Sequence, residues 1–184
     1  MVQKFLGECP KQRGIASLVH EQNVRLGRTN RLLTRWVNRI AISFQNTARF
    51  CDRASVMLTG LPTRRTIGSC SREEAATRFG LSAERPTLLV VGGSQGARAV
   101  NDRITQALPD LSAEKRSNWQ IIHLTGASDE ATVKEAYATY GVKAFVAAFV
   151  TEMDAAYALA DVVLARAGAS TIAELAQCGI PAIL

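Results

Sequence analysis

The chain has 184 residues, enough for one domain or two small ones, and its 47% hydrophobic and 21% charged content excludes a disordered or fibrous protein. No apolar run reaches the roughly 20 residues that span a bilayer, and the opening "MVQKFLGECPKQRG" lacks the apolar stretch of a secretory signal, so a cytoplasmic protein is expected. The net charge of +6 is divided unevenly, with 12 Lys and Arg against 3 Asp and Glu in residues 1–66 and 10 against 13 in residues 67–184. That asymmetry fits an anionic partner for the first third, such as a membrane surface or a diphosphate substrate, or a solvated arginine-rich face with no partner at all. Nucleic acid is the weakest candidate, because aromatics are only 6% and none alternate with the arginines as a base-stacking surface needs.

In chain order, "IASLVHEQN" (15–23) reads as a short strand ending in polar residues. Apolar residues at 32, 33, 36, 37 and 40 have helical spacing and predict a helix over 29–40. Strands are predicted at "IAISF" (40–44) and "SVMLTG" (55–60), and "LPTRRTIGS" (61–69) has the proline, glycine and small polar residues of a linker. A helix over 71–80 opens on a capping box, Ser71 to Glu74, and closes on Gly80. Strands at 87–93, 119–126, 143–150 and 161–168 then alternate with helices at 96–107, 129–141, 151–160 (opened by Thr151 and Asp154) and 169–179, and "IPAIL" (180–184) begins another strand. Strands that are apolar throughout are covered on both faces, so the expected fold is α/β with a parallel, doubly wound sheet. The strand begun at 180 has no closing elements after it, and the first 15 residues read as a domain already under way. A chain truncated at both ends is the expectation.

Cys9, Cys51, Cys70 and Cys178 contain no CxxC pair, and with His20 and His123 they make neither a zinc site nor a disulfide framework. Free thiols and no metal are expected. Open parallel sheets bind ligands at the carboxyl ends of their strands, and two of those ends carry glycine turns, "VVGGSQGA" and "ARAGAST". Each runs into a helix whose first N–H groups and positive dipole end attract phosphate. Gly92, Gly93, Gly96 and Gly168 would let the backbone approach the anion, and Ser94, Ser170 and Thr171 could add hydroxyls; glycine used only to pack helix on strand is the competing reading. GxxxxGK[ST], GxGxxG and a DxD pair are absent, and Glu152 and Asp154 read as residues that cap and charge a helix start. Glu174 has two readings: a capping-box partner of Thr171, or a carboxylate that accepts hydrogen bonds from ribose hydroxyls.

Together, "VHEQN", "GLPTR", "VVGGSQGARAVN" and "ADVVLARAGASTIAELAQCGIPAIL" resemble the MurG family of bacterial peptidoglycan glycosyltransferases, glycosyltransferase family 28, from about residue 15 to the end. The resemblance implies a GT-B fold, with residues 1–62 the last part of the N-terminal, acceptor- and membrane-side domain and 63–184 the first part of the C-terminal, UDP-sugar-binding domain. It implies transfer of N-acetylglucosamine from UDP-N-acetylglucosamine to undecaprenyl-diphosphate-linked muramyl-pentapeptide, on the cytoplasmic side of the bacterial inner membrane. An anionic membrane surface then joins the two substrates as a partner, and no cofactor is implied. Carried over by motif, Asn23 lies at the donor sugar, Arg64 and Ser94 at the donor site, and Val150 against the uracil. Ala169, Ser170, Thr171, Ile172, Ala173 and Glu174 hold phosphate and ribose.

The family usually has Asn where this chain has Leu61, and its N-terminal glycine-rich loop with a histidine has no counterpart here. Its C-terminal histidine–glutamine region would lie past Leu184, so the chain covers about half the family's length. No general base is named, and the isolated chain is expected to bind UDP weakly and to turn nothing over. The alternatives are the sugar-nucleotide-binding half of a split two-subunit transferase, needing its missing half, and an unrelated phosphosugar- or nucleotide-binding module.

Overall fold

The computed structural model describes residues 14–51, 55–93 and 96–184. The chain divides into two compact units, Met1–Pro62 and Thr63–Leu184.

The first unit is a parallel sheet of β1 (Leu18–Glu21), β2 (Arg39–Ile42) and β3 (Ser55–Leu58), in that order, with α1 (Arg28–Leu33) and a 3₁₀ turn at Gln45–Phe50 as connections. Ile40, Ile42 and Cys51 form its small core, with Val19, Leu26, Val37 and Val56 packed on them. The helix expected over 29–40 stops at Leu33. The N–H groups of Asn38 and Arg39 both donate to the Ser17 carbonyl, and Arg39 pairs with Leu18 and Ser55, so sheet pairing takes residues whose spacing alone continues the helix.

The second unit is the expected parallel, doubly wound sheet. Its strands β4 (Thr87–Val91), β5 (Gln120–Leu124), β6 (Lys143–Ala147), β7 (Val162–Ala165) and β8 (Ala182–Ile183) are ordered β6-β5-β4-β7-β8. Successive side chains point to opposite faces. Leu89, Val91, Ile122, Leu124 and Val163 face α2 (Arg72–Phe79), α6 (Met153–Leu159) and α7 (Ala169–Cys178). Val90 and Ile121 face α3 (Arg98–Ala107) and α5 (Glu130–Thr139) through Leu108, Val133 and Tyr137.

The helix ends follow local chemistry. In α2 the Ser71 hydroxyl accepts from the Glu74 N–H, the Glu74 carboxylate accepts from the Ser71 N–H, and Gly80 closes the helix at φ 63°. Gly179 closes α7 in the same left-handed conformation, at φ 66°. A short helix, α4 (Ala113–Asn118), was not expected; it buries no side chain and so has no apolar stripe to read. Neither Thr151 nor Asp154 caps α6. Glu152 holds the cap position without a side-chain cap bond, the Thr151 hydroxyl donates to the Glu152 carboxylate at 2.7 Å, and Asp154 sits in the first turn, where the helix dipole favours it.

Candidate functional site

The two glycine turns leave adjacent strands. β4 pairs with β7 through Val91↔Ala165, so Gly92 and Arg166 follow neighbouring strand ends. From β4 the chain winds outward through β5 and β6 on one side, and it resumes at β7 and β8 on the other. The crevice at such a reversal is where open α/β sheets take their ligands.

The packing reading of the first turn holds for two of its glycines. A Cβ on Gly92 would collide with the Ala97 backbone nitrogen, and one on Gly96, at φ 75°, would collide with the Thr125 carbonyl oxygen. These two glycines are required by packing. Gly93 is exposed at φ 94°, with nothing within 4 Å of the Cβ position, so packing does not require a glycine there. Ser94 lies outside the described residues. α3 begins at Ala97 without a side-chain cap.

The second turn is sterically relaxed. Gly168 is the N-cap of α7 at φ −76°, and the nearest atom to its Cβ position is Thr171 Oγ1 at 3.5 Å. No side chain caps α7, and no acidic residue stands in its first turn. The amides of Ala169, Ser170 and Thr171 therefore have no intrahelical acceptor and lie at the positive end of a ten-residue helix. Ile172 is exposed and Ala173 half-buried in the following turn.

The capping-box reading of Glu174 fails because Gly168, not Thr171, is the cap; Thr171 is already inside the helix. Glu174 is buried instead between two partners. Tyr157 donates its hydroxyl to Oε2 at 3.0 Å, and Arg64 Nε lies 3.4 Å from Oε1. Burial pushes the Tyr157 phenol well above its ordinary pKa, and the Glu174 carboxylate beside it adds to the rise. Arg64, half exposed, also donates to the Thr151 carbonyl at 3.3 Å, so the structure gives this linker charge a specific seat on α7 and the α6 start. Gln177 donates to the Ile67 carbonyl at 3.1 Å and accepts from the Thr63 hydroxyl, which lays the linker along α7.

Val150 is buried in the core, so contact with a base would come through its backbone. Its neighbour Phe149, past the end of β6, is 58% exposed, an aromatic face that the sequence reading did not single out.

In the first unit, Asn23 belongs to a loop organised by Glu21, a residue also missed. Glu21 is 2% exposed, yet its carboxylate accepts from the N–H of Asn23 (2.9 Å), Asn23 Nδ2 (3.0 Å), the N–H of Gly27 (2.8 Å) and Asn30 Nδ2 (2.9 Å). Burial by itself raises its pKa; the hydrogen bonds from Gly27, Asn23 and Asn30 outweigh it and hold the carboxyl below the usual range. With Nδ2 committed to Glu21, Asn23 presents its oxygen, an acceptor, beside a pocket of about 280 Å³. The only signal in sequence was an acid at the end of a strand, inside "HEQN".

Among the described residues no group of three or more His, Cys, Asp and Glu could hold a metal. His123 offers no ready base. His123 is fully buried with both ring nitrogens hydrogen-bonded, and desolvation lowers its pKa to about 4. His20 Nε2 lies 3.1 Å from the Gly60 carbonyl, which can only accept, so that nitrogen carries a proton.

A parallel, doubly wound sheet whose strand order reverses between β4 and β7 is the α/β architecture of a GT-B glycosyltransferase domain. Residues 87–184 match the glycosyltransferase family 28 C-terminal domain, and the chain belongs to that family. It is 42% identical over 171 residues to the UDP-N-acetylglucosamine–N-acetylmuramyl-(pentapeptide) pyrophosphoryl-undecaprenol N-acetylglucosamine transferase of Syntrophotalea carbinolica, covering 92% of this chain and 45% of that protein. The Anaeromyxobacter protein of the same name is 43% identical over 170 residues, 92% of this chain and 43% of its own length. The crystal structure of Acinetobacter baumannii MurG aligns with a TM-score of 0.65 at 30% identity, over 94% of this chain and 46% of that one. The chain thus spans about half the length of the curated relatives it matches.

Proposed function

We propose that this chain carries the UDP-N-acetylglucosamine site of an inverting N-acetylglucosaminyltransferase of peptidoglycan synthesis, with undecaprenyl-diphosphate-linked muramyl-pentapeptide as acceptor. The observation that carries the reading is the pairing of β4 with β7. It brings the Gly92–Gly96 turn beside the uncapped start of α7, with a buried carboxylate, Glu174, further along that helix. The two sugar substrates come from the relatives' names.

In this reading the diphosphate takes hydrogen bonds from the amides of Ala169, Ser170 and Thr171 and approaches Gly93 and Ser94. Each carboxylate oxygen can accept two hydrogen bonds, so ribose hydroxyls can join Tyr157 and Arg64 on Glu174. Ile172 and Ala173 flank the ribose, and Phe149 and the Val150 backbone face the uracil. An acceptor hydroxyl forms the new bond to the anomeric carbon as the bond from that carbon to the β-phosphate oxygen breaks. UDP leaves with the electron pair, and the hydroxyl proton passes to a base other than His123. Fixed amides at the leaving diphosphate are the kind of preorganised electrostatics that contributes most in such reactions.

Membrane association on the cytoplasmic face belongs to the same proposal. No helix among the described residues is long and apolar enough to cross a membrane. Arg25, Arg31 and Arg49 line one pocket of the first unit beside Phe50, a fit for anionic headgroups at a surface.

Calorimetric titration tests the reading: UDP binds, and ADP, GDP and CDP fail to compete. Equal competition by all four nucleotides would overturn it. Radiolabelled transfer to a lipid-linked acceptor analogue is expected to give no product with the isolated chain. Co-sedimentation with anionic vesicles should weaken as salt rises.

A further inference from the structure

A closed chain of buried side chains lies under the turn after β4, and no step of the proposed transfer uses it. His123 on β5, Asn101 on α3 and Tyr137 on α5 are each exposed by 2% or less. Tyr137 Oη lies 2.8 Å from His123 Nδ1, and His123 Nε2 lies 3.0 Å from Asn101 Oδ1. Asn101 Nδ2 donates to the Thr125 carbonyl at 2.9 Å and to the Asp129 carboxylate at 2.8 Å.

The proton positions follow by elimination. A carbonyl and a carboxylate can only accept, so Asn101 turns its nitrogen to them and its oxygen to His123. His123 therefore carries its proton on Nε2, and its Nδ1 accepts from the Tyr137 hydroxyl. With every donor and acceptor matched, the chain has a single arrangement, which rigidifies what it touches.

What it touches is the glycine turn. The Thr125 carbonyl that accepts from Asn101 is also the atom against which Gly96 packs too closely for any Cβ. Asn101 closes the first turn of α3 as well, its N–H donating to the Ala97 carbonyl at 3.0 Å. The Asn101 side chain thus ties the start of α3 to the loop after β5, against which Gly96 packs.

We propose that Tyr137, His123 and Asn101 are positioning residues for the diphosphate: their hydrogen-bonded chain fixes Gly96, whose N–H donates to the Gly93 carbonyl at 2.9 Å, beside the place where the phosphate is received. The inference rests on the donor reading above and adds residues 5 to 44 positions away from that glycine pair in sequence, none of which touches ligand in that reading. Fixing the turn before binding removes an ordering cost that UDP would otherwise meet.

The test compares the full chain with Tyr137→Phe, which removes one oxygen and keeps the ring, and Asn101→Leu, which removes the amide. UDP is titrated by calorimetry and uridine by ligand-detected NMR, at a temperature where circular dichroism shows all three proteins folded. The UDP dissociation constant is expected to rise about threefold in Tyr137→Phe and about tenfold in Asn101→Leu, with uridine binding unchanged. Unchanged UDP affinity overturns the proposal. So does an equal weakening of UDP and uridine, the mark of a merely structural role. Should Asn101→Leu fail to fold, Tyr137→Phe decides alone. If the wild-type chain binds neither ligand, the donor reading fails, and the anchoring is judged by the amide NMR signals of Gly93 and Gly96. Those signals should move in Tyr137→Phe, and their invariance overturns the anchoring.

Discussion

The two ends of the five-stranded sheet are finished in opposite ways. At the amino end, Arg72 meets Asp161 with both terminal nitrogens, at 2.9 and 3.3 Å, and also donates to the carbonyls of Ala83, Arg85 and Leu159. Asp161 accepts from the Thr87 N–H at 2.7 Å, and buried Gln120 accepts from the Ser82 N–H and donates to Thr87 Oγ1, both at 2.9 Å. At the carboxyl ends of β4 and β7 the chain has glycine instead, and α7 has no side-chain cap. Buried backbone groups must be paired with something. The closed end pairs them with its own side chains, whereas the start of α7 is partly exposed and has no side-chain cap. In the proposed function its free amides are the ones that receive the ligand.

The contrast can be broken by substitution. The largest effect is expected for Gly96→Ala, which adds a Cβ at φ 75° into the Thr125 carbonyl. Left-handed strain and overpacking together cost about 3 kcal/mol or more, read as a fall in the urea midpoint. A wild-type midpoint would mean that the turn yields easily, and the anchored picture of the open end would fall.

Arg72→Met at the closed end should lower stability by about 2 kcal/mol, a figure discounted because the Asp161 pair is partly exposed. UDP affinity should stay unchanged; a loss there would show that the two ends are not independent.

Acidification should have a similar size of effect. His123 titrates near its ordinary pKa of 6.5 when unfolded but at about 4 when folded, so between those values the unfolded state binds more protons and stability falls as pH drops. Going from pH 7 to pH 5 should remove about 2 kcal/mol through this residue. The slope should flatten in His123→Gln, measured by urea denaturation at each pH.

Glu174→Gln should weaken UDP and uridine alike by about tenfold, or about 1.4 kcal/mol, while the fold survives. Gly168→Ala is the smallest change. Its φ of −76° suits alanine and its nearest neighbour is 3.5 Å away, so stability should move by less than about 0.5 kcal/mol. Any loss of UDP affinity in that variant sharpens the contrast, because it reports backbone kept bare for a ligand rather than for packing.

Much of the fold was legible. The Ser71–Glu74 box, the closing glycines at 80 and 179 and the apolar runs of β4, β5 and β7 are local signals that survive folding unchanged. The failures share one cause. The helical spacing of Val37 and Ile40 predicts α1 too long, because Arg39 pairs with Leu18 and Ser55 and so joins the strand that the apolar run at 40–44 predicts. At the candidate site, Glu174 was picked out but its capping role was wrong. Its partner Tyr157 lies 17 residues away, and Arg64 reaches it from the linker. Glu21 went unnoticed because its four donors converge only when residues 22–30 close over it.

By itself, then, the sequence determined the kind and succession of elements, hence parallel sheets with glycine turns at strand ends, and the motifs of family 28, because periodicity, caps and turn residues act over a few neighbouring positions. Only the tertiary structure decided that β4 would lie against β7, which set two strand ends more than 70 residues apart side by side. It also decided which glycines are bare for want of room and which are bare with room to spare. Strand order and steric clearance depend on atoms that are distant along the chain, and no local pattern encodes them.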